Sequence, residues 1–517
     1  MFYKARIAAG PRSPNRLISA NAWIGQLAGS PTLSLTLAGG LTLAIAAMIF
    51  LPKLYVAAAA VGLMVAAGMM YLVARTMHAR VDGALLTWLL ISPLAYYFLS
   101  VPSEKPIFTL DRFIIAVLTG AVIFVPNCEA TPVPRELKRA AWAWILFLMF
   151  AFSSLVPVWS DLGVAGSRLI TEAFIFPALL ALFIIRVFPA QLYVRQMHTL
   201  IAGMTVYCAA IAILELITDQ DLLPIPGATF YGTDQTGALP RVNGPFDTNF
   251  CLALIGAISL FLLFFLRSVM DGPISRGRKW IHWTGIVSAT VMILLPQFRT
   301  LAIAFAIVLF LELYRNRRVS ARLAGTAIVL LLMLAILWLP AVAPTFFDTR
   351  IADPANFYAR VAQQQQTWEL FLHHPLNGVG FANFMQAIQT VSSTSFHEVA
   401  SVDTAHNSLG SIMAETGIAG TLPFLTANVF WFLAFFRLRH VGTPVAAAAW
   451  RYFLYIFLCY WIMGVTLVSA YERDLNLWYM LACAILYKLA LVEQHHYQSE
   501  APQLYQTRIA RPALENS

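Results

Sequence analysis

Residues 250–266 read FCLALIGAISLFLLFFL, a run without a charged side chain inside the apolar segment 244–266. A helix that crosses the hydrocarbon core of a bilayer needs about 20 mostly apolar residues, with a range of about 17–25. Thirteen further segments of the chain have this character. The complete set of predicted spans is 32–52, 54–73, 83–100, 111–126, 139–156, 169–186, 197–218, 244–266, 280–296, 299–314, 323–340, 406–436, 447–469 and 474–492.

The composition excludes an ordinary soluble enzyme. Of 517 residues, 59% are hydrophobic and 11% are charged, whereas soluble proteins carry about 25% charged residues. The net charge of +9 comes from too few charged side chains for a nucleic-acid-binding surface. We therefore expect an all-α fold, a polytopic membrane bundle of about 14 transmembrane helices (about 12–14), with one large, partly helical periplasmic loop and no nucleic-acid partner.

The basic residues predict the orientation in the membrane. With a cytoplasmic N-terminus and alternating spans, 25 of the 34 Lys and Arg residues fall on the cytoplasmic side, a bias typical of membrane proteins. Residues 1–31 contain four basic side chains and no apolar run, so no cleavable signal peptide is expected. We predict a multi-pass protein of the bacterial inner membrane, with both termini cytoplasmic and any active site periplasmic.

Two of the predicted outer loops are long, and long ordered loops are usually functional. The predicted organisation is a cytoplasmic N-terminal segment 1–31, membrane helices 32–218, a periplasmic loop 219–243, membrane helices 244–340, a large periplasmic loop 341–405, membrane helices 406–492 and a cytoplasmic tail 493–517. No nucleotide-binding motif is visible. We therefore expect chemistry on the outer face that is independent of ATP and needs no cofactor.

A helix is predicted within the large loop, at about 355–373. Its apolar stripe would consist of Phe357, Val361, Trp368, Phe371 and Leu372, which approximate a helical period. The run Gln363–Gln366 would lie on the polar face.

The outer arginines are candidates for binding a phosphate group. Arg241 precedes one span and Arg299 lies between two closely joined spans, where a planar, permanently charged guanidinium can bind phosphate. The alternative is a structural role, either snorkelling to headgroups or pairing with an acid such as Asp247. Arg360, on the loop helix, is open to both readings. Arg473 is expected to be structural, because it stands between two acids.

His406 is the best candidate for acid–base chemistry. It stands where the large loop re-enters the membrane, and histidine is suited to moving a proton near neutral pH. Asp403 could orient it, although a capping or interfacial role for His406 is the alternative. Glu415 lies deeper in the same helix and needs a partner, and the nearby glycines allow close helix packing. Glu172 and Glu215 are expected to be structural.

The cysteines carry no sign of a metal centre. The five cysteines are Cys128, Cys208, Cys251, Cys459 and Cys483. They lack metal-ligand spacing, so neither a disulfide nor a metal site is expected.

Four motifs, spread over about 200–436, resemble the O-antigen ligase and polysaccharide polymerase superfamily. They are Arg241-x-x-Gly244-x-Phe246-x-x-Asn249; the pair Phe298-Arg299, where the family has Ser-Arg; Trp368 with Pro375-Leu376-Asn377-Gly378-Val379-Gly380 and Asn383-Phe384; and His406-Asn407 with Gly417 and Gly420. Each motif is degenerate, but the four occur in order around a long outer loop.

The resemblance implies a metal-independent, inverting glycosyltransferase that takes its glycan from undecaprenyl diphosphate. His406 would be the catalytic base, and Arg241, Arg299 and Arg360 would bind the diphosphate. The supporting residues would be Asn407, Asp403, Glu415, Gly244 and Asn249.

Three activities agree with these features. A polysaccharide polymerase is favoured over an O-antigen ligase that transfers the glycan to lipid A-core. The alternative from another class is a transporter or flippase of the lipid-linked glycan. Expected partners are the lipid-linked oligosaccharide donor, the glycan or lipid A-core acceptor, membrane lipids, a flippase and a chain-length regulator.

Overall fold

A computed structural model describes residues 81–98, 100–101, 108–124, 134–225, 240–270, 275–315, 354–391 and 405–514. The stretch Asp82–Ser517 forms a compact unit. Regular structure in the described residues is helical, apart from one antiparallel pair of two-residue strands, β1 (Ser100–Val101) and β2 (Phe108–Thr109). The prediction of an all-helical fold is confirmed over this part of the chain.

The described helices follow one another along the chain. They are α1 (Val81–Ile91), α2 (Ala95–Phe98), α3 (Leu110–Phe124), α4 (Arg135–Ser153), α5 (Trp159–Ile170), α6 (Phe176–Arg186), α7 (Ala190–Thr218), α8 (Asn249–Val269), α9 (Arg276–Leu294), α10 (Arg299–Arg315), α11 (Pro354–His373), α12 (Phe384–Val391), α13 (Ser408–Leu438), α14 (Pro444–Thr466) and α15 (Arg473–Leu514). A π-helical turn at Thr171–Ile175 joins α5 to α6, and short 3₁₀ turns lie at Ser92–Leu94, Val156–Val158 and Ser469–Tyr471.

Seven helical segments in the described residues are long and apolar enough to cross a membrane. They are Arg135–Val158, Gly163–Arg186, Ala190–Thr218, Asn249–Val269, Ser408–Leu438, Pro444–Thr466 and Arg473–His495. Helices also lie at the predicted spans 83–100, 111–126, 280–296 and 299–314, but they are too short or not apolar enough for this criterion. The predicted spans 32–52, 54–73 and 323–340 lie outside the described residues, so the total of about 14 stays a prediction.

Two helices form the centre of the bundle. In α8 and in the Arg473–His495 part of α15, 89% and 94% of the most apolar stretch is buried inside the protein, against 28% in the Arg135–Val158 segment. A helix that is apolar on all sides is typical of such a buried position. The α4 helix instead exposes Trp142 and Met149, as expected for a side chain row that faces lipid.

The helix α13 is broken at Gly417, and a loop segment docks across the break. Gly417 has φ 60° and ψ −163°, which is not helical. The stretch 375–380, which we call the glycine segment, follows α11 and runs beside this point. Its residues Val379 and Gly380 donate backbone N–H groups to the carbonyls of Ala414 and Glu415, each at 3.0 Å.

Two further hydrogen bonds run in the opposite direction. Ile418 and Ala419 donate to the carbonyls of Pro375 and Leu376 at 2.9 and 3.0 Å. The break therefore leaves few main-chain groups without partners, which matters because an unpaired polar group in a bilayer costs several kcal/mol, about 2–7 in apolar surroundings. The glycines were expected to allow close helix packing, but at Gly417 the close neighbour is this loop backbone.

The glycine segment ends in an aromatic cluster that holds it in the bundle. Phe381 is fully buried, and its backbone N–H donates to the hydroxyl of Ser154 at the end of α4, at 3.1 Å. Its ring lies 5.8 Å from that of Phe174 and 5.1 Å from that of Tyr471. Because this burial removes a large apolar side chain from water, it contributes about 1.5–3 kcal/mol to docking of the segment.

The loop helix α11 lies where it was predicted, but its predicted faces are only partly present. Trp368, Val361 and Leu372 are exposed at 52%, 38% and 57%, whereas Gln363 and Gln366 are buried. The predicted apolar stripe is therefore wrong for these three apolar residues, although its member Phe371 is buried. The buried side packs against the start of α13 and against α12, and the exposed apolar side chains are left free to face another molecule.

Substitution of Gly417 by alanine should destabilise the protein strongly. A Cβ at this position would lie 2.3 Å from the carbonyl carbon and oxygen of Leu376. The expected cost is about 1–3 kcal/mol for the strained backbone and about 1–3 kcal/mol for overpacking. The measurement is the melting temperature in detergent, followed by size-exclusion chromatography after heating.

Gly203→Ala is the matched control. Gly203 lies within α7, and its added Cβ would meet only Leu90, at an ordinary 3.5 Å. Equal melting temperatures for the two variants would contradict the proposed role of the break.

Candidate functional site

His406 occupies a short connection between the large loop and α13, in a backbone conformation unusual for its residue type. Its φ is +46°, in the left-handed region that costs a non-glycine residue about 1–2 kcal/mol. Such a conformation persists only when neighbouring contacts hold it. Contacts of this kind are present on both sides of His406.

Gln364 of α11 brackets the histidine through its two neighbours. Its side-chain amide donates to the carbonyl of Ala405 at 3.3 Å, and its side-chain oxygen accepts from the amide of Asn407 at 3.0 Å. Asn407 also caps α13, since its side-chain oxygen accepts from the backbone N–H of Gly410 at 3.1 Å. The loop helix, the histidine and the start of α13 are thus fixed to one another.

Ser408 fixes the same connection to a different part of the bundle. Its hydroxyl donates to the carbonyl of Leu467 at 3.0 Å and accepts from the backbone N–H of Ala470 at 3.1 Å. The hydroxyl of Ser469 lies 3.1 Å away. The connection that carries His406 is therefore anchored to the turn that follows α14.

A cavity of about 500 Å³ opens beside His406. Its lining residues are Arg360, Val361, Gln364, Gln365, Trp368, His406, Asn407, Val465 and Thr466. The volume lies within the range of about 300–1,000 Å³ that is usual for small-molecule sites. Two of the residues predicted from the sequence, Arg360 and His406, come together here, with Asn407 as their neighbour.

The surroundings of His406 keep its imidazole uncharged near neutral pH. Burial, together with the smaller effect of the positive charge of Arg360, lowers the pKa of His406 to about 4. Burial acts because the charged imidazolium loses hydration, and Arg360 acts by repulsion. A neutral imidazole has a free lone pair, so His406 can accept a proton from a molecule in the cavity.

The other two arginines, Arg299 at the start of α10 and Arg241 ahead of α8, do not line the cavity. Arg299 is exposed at the first residue of α10, and Arg241 is half-buried ahead of α8. The two helix starts meet through the rings of Phe250 and Phe298, edge to face at 6.1 Å. Phe298, which replaces the serine of the family motif, therefore has a packing role here.

A hydrogen bond connects this pair of helix starts to the cavity. The hydroxyls of Thr300 and Thr466 lie 3.0 Å apart. Thr300 follows Arg299, and Thr466 is part of the cavity lining. The arginine motif at the start of α10 thus adjoins the wall of the cavity that holds His406.

The motif around Arg241 is shaped by Glu215, which has the structural role that was expected for it. Its carboxylate accepts from the backbone N–H groups of Asn243 and Gly244 at 3.0 and 2.7 Å. Gly244 has φ +58°, a conformation that glycine adopts without strain. Asn249, the first residue of α8, is buried.

Glu415 supports the docked loop and is not in the cavity lining. Its carboxylate accepts from the hydroxyl of Tyr471 and from the backbone N–H of Phe384, the latter at 3.3 Å. Tyr471 and Phe384 thus supply the hydrogen-bond donors that a carboxylate at this depth in α13 was expected to need. Asp403, which was expected to orient His406, lies outside the described residues and remains a prediction.

Arg473 and Glu172, both expected to be structural, take part in four ion pairs. Arg473 pairs with its neighbour Asp474 at 2.8 Å and with Asp111 of α3 at 3.2 Å. Glu172 pairs with Arg112 at 2.9 Å and with Arg168 at 2.8 Å. These charges join α3 to α15 and to the π-helical turn after α5.

Asp247 was considered above as an ion-pair partner for an outer arginine. In the structure it lies in a cluster with Cys251 and Glu472. Ligand-type atoms of Asp247, Cys251 and Glu472 all lie within 4.8 Å of one another. Burial, together with the negative charge of Asp474, raises the pKa of Asp247 to about 6. Two acids and a thiol could hold a cation, but mutual repulsion and protonation account for the cluster equally well.

Sequence reasoning missed Gln364, Gln365, Val465 and Thr466 as parts of the site. The glutamines were assigned to a polar surface, and the two residues at the end of α14 lie far from His406 in the chain. The exposed Trp368 was assigned to an apolar stripe, although its place in the third motif indicated importance.

Comparison with known proteins supports the resemblance seen in the motifs. A family model described as O-antigen ligase matches residues 284–425. The matched stretch contains Arg299, Arg360 and His406, and it begins after the Arg241 motif. No curated protein matches the chain. The match confirms the likeness to the O-antigen ligase and polymerase superfamily, and it indicates a membrane glycosyltransferase.

Replacement of Arg360 by glutamine should raise the pKa of His406 while leaving it below the ordinary histidine value of about 6.5. The repulsion from Arg360 is lost, but the larger effect of burial remains. The measurement is an NMR titration of ring-labelled histidine, with the His406 signal assigned by its loss in His406→Gln.

Arg135→Gln serves as the control, because Arg135 is exposed at the start of α4. A His406 signal that titrates at the same pH in Arg360→Gln and in the unaltered protein would contradict the described geometry.

Proposed function

We propose that this chain, whose residues 284–425 match the O-antigen ligase family, transfers a glycan from undecaprenyl diphosphate to an acceptor hydroxyl. The reaction takes place at the periplasmic surface of the inner membrane. The observation that carries the proposal is the cavity in which a neutral His406 meets Arg360. Glycosyl transfer from a diphosphate needs both a proton acceptor and a cation for the leaving group.

His406 acts as the general base. It takes the proton of the acceptor hydroxyl while the hydroxyl oxygen attacks the anomeric carbon of the donor sugar. The bond from that carbon to the diphosphate oxygen breaks as the glycosidic bond forms, and undecaprenyl diphosphate leaves as an anion. A single direct displacement inverts the anomeric carbon.

Binding of the donor also strengthens the base. A group with a pKa of about 4 is a weak proton acceptor at pH 7. The negative charge of a bound diphosphate favours the imidazolium and therefore raises the pKa of His406. The base thus reaches useful strength in the donor complex, which couples proton transfer to the presence of the leaving group.

The three arginines supply the positive charge for the leaving group. Arg299 and Arg241 stand at adjacent helix starts, and Arg360 stands in the cavity itself. Guanidinium groups form bidentate hydrogen bonds to phosphate oxygens, and they stabilise the charge that develops as the sugar leaves. In this proposal the charge comes from arginine side chains, so the reaction needs no metal ion.

Among the activities of the superfamily, we favour a polymerase that extends a repeat-unit chain. A lipid-linked repeat unit supplied alone to the purified protein gives longer lipid-linked products if this is correct. Product that forms only after lipid A-core is added identifies a ligase. Transport of the lipid-linked glycan without formation of a new bond identifies a flippase. In that case a separate flippase and a chain-length regulator are no longer expected as partners.

His406→Ala should lower kcat by about 10²–10⁴-fold, the usual contribution of a general base. In the unaltered enzyme, kcat/KM for the donor should fall as the pH drops through about 4, where the free His406 becomes protonated. The sign follows because only the neutral imidazole accepts a proton. The pH profile of kcat should fall at a higher pH than that of kcat/KM.

An in vitro transfer assay over a range of pH checks both expectations. Near-native turnover in His406→Ala would rule out the base role. Equal melting temperatures for His406→Ala and the unaltered protein would show that the loss does not arise from disturbing the start of α13.

Arg299→Gln and Arg241→Gln should each weaken donor binding by about 10–100-fold, because each removes a charged hydrogen bond worth about 1.5–3 kcal/mol. The measurement is binding of lipid-linked donor to protein in nanodiscs. Arg276→Gln, at an exposed site that opens α9, should bind the donor as the unaltered protein does. Unchanged affinity in both test variants would remove the diphosphate assignment.

A further inference from the structure

The accessible surface of the cavity beside His406 is mostly apolar, with polar side chains among its lining residues. Three of the nine lining residues are apolar: Val361, Val465 and Trp368, exposed at 38%, 62% and 52%. The other six have polar or charged side chains. An apolar surface with polar groups beside it suits a ligand that has both an apolar face and hydroxyl groups.

The aromatic surface is held in place by the loop helix. Trp368 lies one turn from Gln364 and two turns from Arg360 on the same side of α11, and all three line the cavity. Its ring packs 5.3 Å from that of Phe371, which is buried. Half of Trp368 nevertheless stays exposed, so one part of the indole is fixed and the other part is accessible.

We propose that this cavity is the subsite for the acceptor sugar, with Trp368 as its stacking platform and Gln365 as a hydroxyl-binding group. The inference rests on the proposed function and extends it by naming the ligand and the residues that select it. A pyranose ring has a face of C–H bonds and a rim of hydroxyls. The negative face of an aromatic ring attracts the polarised C–H groups, and amide side chains bind hydroxyls.

The position of His406 identifies this sugar as the acceptor. The base must lie within hydrogen-bond reach of the hydroxyl that attacks. Since His406 and Trp368 line one cavity, a sugar stacked on the indole presents its rim towards the imidazole. Arg241 and Arg299, two of the arginines proposed to hold the donor diphosphate, do not line this cavity, whereas Arg360 does. The acceptor hydroxyl and the leaving group therefore meet on the side of the cavity that carries Arg360 and His406.

The subsite predicts that loss of the aromatic platform changes KM for the acceptor and leaves the other kinetic constants nearly unchanged. Trp368→Ala should raise KM for the acceptor by about tenfold or more, as expected for loss of roughly 1.4 kcal/mol of stacking and burial. It should leave kcat and KM for the donor within about threefold. Trp368→Phe should recover most of the acceptor affinity. Trp280→Ala, which removes an exposed tryptophan from α9, should change none of these constants.

The subsite can also be tested by a binding measurement that does not depend on catalysis. The probe is the oligosaccharide released by mild acid from the lipid-linked donor, observed by saturation-transfer NMR with protein in nanodiscs. Binding that weakens in Trp368→Ala and returns in Trp368→Phe supports the subsite even if no transfer occurs. Equal binding in Trp368→Ala and Trp280→Ala overturns it, as does a rise in donor KM alone.

The two proposals fail in different ways. Near-native turnover in His406→Ala contradicts the base role but leaves the acceptor KM of Trp368→Ala as an independent result. An unchanged acceptor KM in Trp368→Ala, together with a strong loss in His406→Ala, rejects the sugar platform and keeps the glycosyltransferase.

Discussion

Main-chain hydrogen bonding at the break in α13 is the constraint on which the rest of the site depends. A helix that stops and restarts inside a membrane protein exposes N–H and C=O groups that lipid cannot satisfy. Here the glycine segment supplies two donors and two acceptors across Gly417. Only a residue without a Cβ fits there, since any side chain would meet the backbone of Leu376. The loop is therefore a structural part of the helix that it crosses.

This docking determines where the chemistry can be. The glycine segment follows α11 directly, so fixing it against α13 also brings Gln364 to the peptide that carries His406. Burial under α11 and the charge of Arg360 then keep the imidazole neutral. Packing and one nearby cation thus leave the imidazole of His406 able to accept a proton. Hydrogen bonds to the residues on both sides of His406 hold its strained backbone.

The sequence was a good guide to the helices and a poorer one to their faces. Long apolar runs such as 250–266 predict spans directly, and Arg360 and His406, chosen separately from the sequence, line one cavity. The faces of α11 were predicted wrongly because the apolar-stripe rule assumes that apolar side chains seek the protein interior. Gln363 and Gln366 are buried instead, while Trp368 faces a cavity. Contacts such as Thr300 with Thr466 join residues that are distant in the chain, and no local pattern predicts them.

The Gln364 bracket and the four bonds across Gly417 have a consequence for how such proteins can recombine. A crossover point between α11 and α13 would separate Gln364 from the peptide that it holds, and Leu376 from its partner beyond the break. Crossovers outside 354–438 leave all of these contacts within one parental segment. The residues proposed to contact the acceptor glycan and the proposed base are therefore inherited as a block, and a chimera that exchanges one is expected to exchange the other with it.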